Sequence, residues 1–183
     1  MIRTMLWILA AVLLGGIVHL ATVLAMPQTA TEDAYSRLAP LTPVNAVVPL
    51  AMPTGKSAIM PFMDPAFAAA ACRYDLTGGS LKLIVPVSQA YTSVTFYTRK
   101  SISYYAINDR AAGRHSIELD LMTPEQHAAL PEDEDVTAAD RLIIESPSTM
   151  GLIVLRALAP EPGLMPMARQ SLAAATCGIQ PVQ

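Results

Sequence analysis

Residues 5–25, MLWILAAVLLGGIVHLATVLA, run for 21 positions without a formal charge. A helix rises about 1.5 Å per residue, so this stretch matches a hydrocarbon core of roughly 30 Å and satisfies its own backbone inside it. The run therefore divides the chain into a tip (residues 1–4), a transmembrane anchor (5–25) and a remainder that folds outside the bilayer. A cleaved signal peptide is the rival reading, but such leaders carry an apolar core of roughly 7–15 residues. Arg3 precedes the span, Glu32 and Asp33 follow it, and the next basic residue is Arg37. The positive-inside bias then favours a cytoplasmic N-terminus and an exported C-terminal domain, periplasmic in a bacterium, where thiols oxidise. His19 and the Ala11-x-x-x-Gly15 spacing hint at helix association within the anchor.

The formal net charge of -3 over the whole chain leaves no basic footprint for nucleic acid. Residues 26–61 hold Pro27, Pro40, Pro43, Pro49, Pro53 and Pro61, a density that forbids a long helix or a central strand. This segment is still apolar, so it is expected to lie extended along the folded domain. One short helix, capped by Thr31-Glu32-Asp33, is expected to run through Leu38.

From Cys72 onward the runs CRYDL, SLKLIVPV, YTSVTFYT, ISYYAI, HSIELDL, RLIIESP and LIVLRAL read as about seven β-branched or aromatic strands, set apart by turn residues. No long helix intervenes to support parallel crossovers. The expectation is a mainly β (α+β) domain over residues 62–183: an antiparallel sandwich or half-barrel with short helices. LMPMARQSLAAATC carries Leu164, Met167, Ala168, Leu172 and Ala175 at helical spacing and predicts a terminal helix reaching Cys177.

PFMDPAFAAAACRYDLTGG, residues 61–79, sets Cys72, Arg73, Tyr74 and Asp75 side by side. Asp64-Pro65 predicts a helix start, with about two turns over residues 66–71, and Gly78-Gly79 a hairpin. Strand alternation splits the quartet: Cys72, Tyr74 and Leu76 share one face, and Arg73 and Asp75 the other, where an ion pair is favoured over a catalytic set. Cys72 has three readings. A catalytic thiol needs a base nearby, and His115 and His127 are the only exported histidines. A buried free cysteine is the second reading. The third, favoured in an oxidising compartment, is a disulfide with Cys177.

The remaining motifs favour structure over chemistry. His115 falls with Ile117, Leu119 and Leu121, away from Glu118 and Asp120, and His127 follows a capped turn at Thr123-Pro124-Glu125. Neither pattern makes a metal site. The acids at 132–135 lack the alternate spacing and glycine of a calcium loop. Gly55-Lys56-Ser57 lacks the upstream glycine of a P-loop. Asn108-Asp109-Arg110 ends a strand, and with Tyr105 it forms the candidate ligand-binding group of this chain. No catalytic set, metal site or cofactor motif emerges.

The N-terminal span, DAYSRL (residues 33–38), PFMDPAFAAAACRYDL, SVTFYTRKSISYYAINDR, LIIESPSTMGLIVLRAL and the final helix ending near Cys177 together resemble bacterial proteins of the domain of unknown function 1254 family, in its short, membrane-anchored form. The resemblance implies a mostly β domain, fused in larger relatives to a second domain of unknown function, 1214. Short forms tend to be encoded beside a separate small membrane protein of that second type, so a complex with one is expected. No reaction follows from the resemblance. The leading expectation is a non-catalytic binding or assembly module anchored in the inner membrane through residues 5–25. The alternative is an envelope enzyme or small-molecule binder, with Tyr105, Asp109 and Arg110 in a pocket.

Overall fold

Alternation along CRYDL decides which side of the chain is core. In the computed structural model, which describes residues 1–29, 33–112, 115–130 and 142–180, Cys72, Tyr74 and Leu76 are wholly buried and Arg73 and Asp75 face the other way. Cys72 to Asp75 belong to β2 (Phe67–Asp75), one of nine strands among the described residues, and Leu76 follows it directly. In chain order the others are β1 (Val47–Pro49), β3 (Ser80–Pro86), β4 (Thr92–Thr98), β5 (Ser103–Asn108), β6 (Ser116–Met122), β7 (Leu142–Glu145), β8 (Met150–Leu158) and β9 (Thr176–Gln180). Five form an antiparallel sheet in the order β1-β2-β8-β4-β5. The other four form a sheet in the order β7-β6-β3-β9, antiparallel except for the parallel pair β6–β7. Inward side chains of both sheets, among them Phe96, Ile153 and Leu155 on one and Leu83, Leu119 and Leu121 on the other, meet in one core. The body is a two-sheet sandwich.

One helix expected from the sequence is a strand instead, and another ends before it reaches the cysteine. Residues 66–71 do not coil: Asp64 Oδ1 accepts from the Ala66 amide at 2.8 Å, a local turn, and β2 begins at Phe67. Alanine favours helix intrinsically, but here burial decides. Ala68 and Ala70 point inward towards the core residues Ala168 and Leu172, and Ala71 is buried on the outer face. Small side chains let the strand be covered on both sides. At the other end, the helix α5 (Met165–Ala173) stops short of Cys177, which sits instead on β9 opposite Leu83 of β3. A 3₁₀ turn, Pro162–Leu164, leads into α5.

The expected Gly78-Gly79 hairpin is a crossing between sheets. Gly78-Gly79 joins β2 of the larger sheet to β3 of the smaller. Gly79 adopts φ +136°, and a Cβ there would overlap the Gln180 carbonyl, so only glycine fits. The turn after β7 likewise carries the chain across to β8. The β4–β5 connection is a true hairpin, with Ser101 at φ 61° and a bulge beside Phe96.

The proline-rich segment from Ala34 on lies along the outer face of the larger sheet and supplies β1 as its edge. The short helix α2 (Ala34–Leu38) buries Tyr35 and Leu38 there with Leu50, Ala71 and Leu152. Its proposed caps Thr31 and Glu32 lie outside the described residues. Arg73 fastens the segment rather than pairing with Asp75. Its Nε donates to Thr42 Oγ1 at 2.9 Å, and its Nη2 to the Thr42 carbonyl at 2.6 Å and the Ala39 carbonyl at 3.3 Å. The guanidinium groups of Arg73 and Arg99 lie 5.1 and 4.2 Å from the Tyr35 ring centre. Asp75 instead turns its Oδ1 to the Thr77 amide and hydroxyl.

Residues Ile2–Thr29 form one helix, α1, in which Ile2–Met26 is long and apolar enough to cross a membrane and is wholly unburied. It is a unit separate from the sandwich, which begins at Ala34 rather than at residue 62.

Candidate functional site

Cys72 and Cys177 are joined as a disulfide, with Cα atoms 6.6 Å apart across 105 positions of sequence. Because Cys72 is on β2 and Cys177 on β9, the bond ties one sheet to the other through the core. A thiol held this way is neither nucleophile nor metal ligand.

The expected ligand-binding residues follow one another from β5 into the turn after it. Tyr105 stacks at the sheet edge, its ring centre 6.0 Å from that of Phe96. Asp109 opens the four-residue helix α3 (Asp109–Ala112), and its Oδ1 is buried without a hydrogen-bond partner among the described residues. Arg110 is exposed. Asn108 Oδ1 accepts from the Ala111 amide at 3.0 Å, which explains the polar turn as a helix cap. His115 is exposed. His127 lies on α4 (Pro124–Ala128), whose capping box pairs Thr123 with Gln126, and its Nδ1 is 2.6 Å from Glu145 Oε1. That pair fastens α4 to β7. No cluster of three metal-ligating side chains occurs among the described residues, and the acidic stretch 132–135 lies outside them.

A chain of hydroxyls runs through the core beneath the β7–β8 crossing. Tyr74 Oη is 2.9 Å from Ser146 Oγ and 3.1 Å from Tyr104 Oη, and Ser146 Oγ donates to the Ser148 carbonyl at 2.6 Å. Each hydroxyl has one proton: Ser146 gives its own to the Ser148 carbonyl, Tyr104 donates to Tyr74, and the Tyr74 proton is divided between Ser146 Oγ and the Tyr97 carbonyl at 3.3 Å. Burial, then the neighbouring Tyr74, pushes the Tyr104 phenol far above its ordinary value. A raised phenol pKa leaves stability untouched below about pH 10 and removes it progressively above, because only the unfolded chain then releases the proton. In an alkaline absorbance titration of the six tyrosines, Tyr104 should stay protonated until the fold opens. Its ionisation together with exposed tyrosines would refute the buried network.

The candidate site is an apolar groove between α5 and the β3–β4 connection, about 500 Å³ in volume. Val87, Leu158, Leu164 and Met167 give it apolar walls, and the helical spacing that turns Ala168 and Leu172 into the core leaves Met167 45% exposed. Its polar groups are few. Ser171 Oγ already donates to the Pro86 carbonyl at 2.7 Å, and no residue with an ionisable side chain lines the groove. Such a lining can hold an apolar segment but offers no acid, base or nucleophile. The sequence signal was Met167 at an α5 position adjoining the buried stripe; the groove's other wall, Val87 to Ala90, lies 80 residues away and left no local mark.

No protein-family model matches the chain, and no curated protein matches it. Among solved structures, the chain is similar to the VPA0106 protein from Vibrio parahaemolyticus, with a TM-score of 0.57 at 13% identity over 82% of this chain. It is also similar to a putative uncharacterized protein from Burkholderia cenocepacia, with a TM-score of 0.50 at 13% identity over 81% of this chain. These likenesses are of fold. The chain spans 37% of the length of each of those proteins.

Proposed function

We propose that the protein is a binding or assembly module of the bacterial envelope, anchored in the inner membrane by α1 with its N-terminus in the cytoplasm and its sandwich in the periplasm. The observation that carries the reading is the groove beside α5, which is apolar, open and free of ionisable side chains. An occupant that matches it is an apolar segment of another membrane protein. The inter-sheet disulfide supports an oxidising compartment, and the unburied apolar helix supports the anchor.

Membership of the domain of unknown function 1254 family is part of this proposal. It brings with it the expected partner, a small membrane protein carrying domain of unknown function 1214. The two longer solved proteins, in which a sandwich like this one takes up 37% of the chain, fit a module that works joined to further structure.

Affinity capture of the tagged full-length protein from membranes tests the reading. The native chain should recover a stoichiometric partner, and Met167→Asp, which places a charge in the groove, should reduce recovery at least tenfold while the sandwich stays folded. Recovery of nothing by the native chain, or equal recovery by the variant, would count against it. A phosphatase reporter fused after Gln183 should be active in this orientation and silent in the reverse one.

A further inference from the structure

We propose a second binding site, on the outer face of the larger sheet, for a small carboxylate with a flat apolar body. The segment before β2 covers only part of that face. Register sets the rows: Arg156 on β8 stands between Ala69 of β2 and Ser93 of β4, and Ser93 stands opposite Asn108 of β5. In the next row Thr95 stands between Val154 and Ala106. Small side chains on an uncovered sheet leave a hollow of about 280 Å³, lined by Arg156, Ser93, Thr95, Asn108, Phe67 and Tyr91 among others. A second hollow of about 140 Å³ shares Arg156 and Phe67 with the first and reaches Phe62, a fully exposed aromatic at φ 59°.

Charge and hydrogen-bonding capacity name the ligand. Arg73 and Arg99, the other arginines on this face, lie over Tyr35, and Arg73 also donates to backbone carbonyls. Arg156 is exposed and has no hydrogen bond or ion pair among the described residues. Around it the free groups can all donate: the Ser93 and Thr95 hydroxyls and the Asn108 amide nitrogen, the Asn108 oxygen being taken up in capping α3. No carboxylate lines the larger hollow. The acid at the smaller one, Asp64, turns an oxygen to the Ala66 amide. A planar guanidinium fork with flanking donors suits a carboxylate. One cation balances one negative charge, which favours a carboxylate over a phosphate dianion. Phe67 and Tyr91 supply apolar walls for a ring.

This site shares no lining residue with the groove beside α5, so either can fail alone. The test is calorimetric titration of the full-length protein in detergent with benzoate, benzamide, acetate and inorganic phosphate. Benzoate should bind saturably, and benzamide, which lacks the charge, at least tenfold more weakly. Arg156→Gln should weaken benzoate at least tenfold, Arg156→Lys by an intermediate factor, and Ala106→Phe should block the hollow with Arg156 still present. Thermal midpoints should stay within a degree or two, since both positions are exposed. Partner capture should be unchanged by Arg156→Gln. No saturable benzoate binding, equal binding by Arg156→Gln, or phosphate binding tighter than benzoate would overturn the proposal.

Discussion

Replacing both cysteines, Cys72→Ala with Cys177→Ala, should lower the thermal midpoint by roughly 10–15 °C. The bond closes a loop of 105 positions. In the chain-entropy account a loop of that order restricts the unfolded chain by about 4–5 kcal/mol, and loss of a native bridge typically costs about 2–5 kcal/mol. For a chain of this size each kcal/mol corresponds to about 2–4 °C. Alanine is the informative replacement, because serine would leave a hydroxyl at a site where Cys72 is wholly buried. The effect falls on the sandwich as a whole, since the bond joins its two sheets and not two neighbours on one strand pair. Scanning calorimetry with and without a thiol reductant, beside the double variant, gives the measurement. Identical midpoints for the oxidised and reduced protein would show that the bridge does not stabilise the fold.

Gly151→Ala should be nearly as damaging, at about 3–4 kcal/mol, although it adds a single methyl group. Gly151 begins the buried part of β8, and a Cβ there would overlap both Tyr74 Oη and the Tyr97 carbonyl. The second of these is backbone of β4 and cannot turn aside. Moving Tyr74 breaks the hydroxyl chain to Tyr104 and Ser146, leaving buried groups unpaired. Tyr74→Phe already gives up the hydroxyl contacts that Gly151→Ala would break, while its ring carbon Cζ and the Tyr97 carbonyl still stand in the way of the new methyl group. The double variant Tyr74→Phe with Gly151→Ala should therefore lose less than the sum of the singles, by about 1 kcal/mol. Urea unfolding of the four proteins decides the matter. A Gly151→Ala protein within about 0.5 kcal/mol of the native one would sink the account.

The strands of the core were legible because alternation is a local property. CRYDL separated Cys72 and Tyr74 from Arg73 and Asp75, and ISYYAI and HSIELDL marked β5 and β6. The pairing of Cys72 with Cys177 could be argued from compartment alone. What stayed hidden was decided by distant neighbours. AFAAAA reads as helix until Ala68 and Ala70 are packed beneath α5, and TCGIQ reads as the end of that helix until β3 offers an edge. Gly78-Gly79 carries the same letters whether it folds back on one sheet or crosses to another. The candidate sites were the least legible. Arg156 is a lone charge in an apolar strand, LIVLRAL, and only the sheet order reveals which donors stand beside it.

That order also governs how the molecule can be made. β8 stands between β2 and β4 although some fifty residues of chain separate it from β4 and some seventy-five from β2. Until Met150–Leu158 has been synthesised, β2 and β4 each present an open edge to the other's missing neighbour. A chain emerging from the ribosome, or threading through a translocon, holds the larger sheet in two halves that cannot close. Pairings so remote in sequence make for slow folding. The nascent protein thus remains threadable until Met150–Leu158 arrives, and commits to its fold only then.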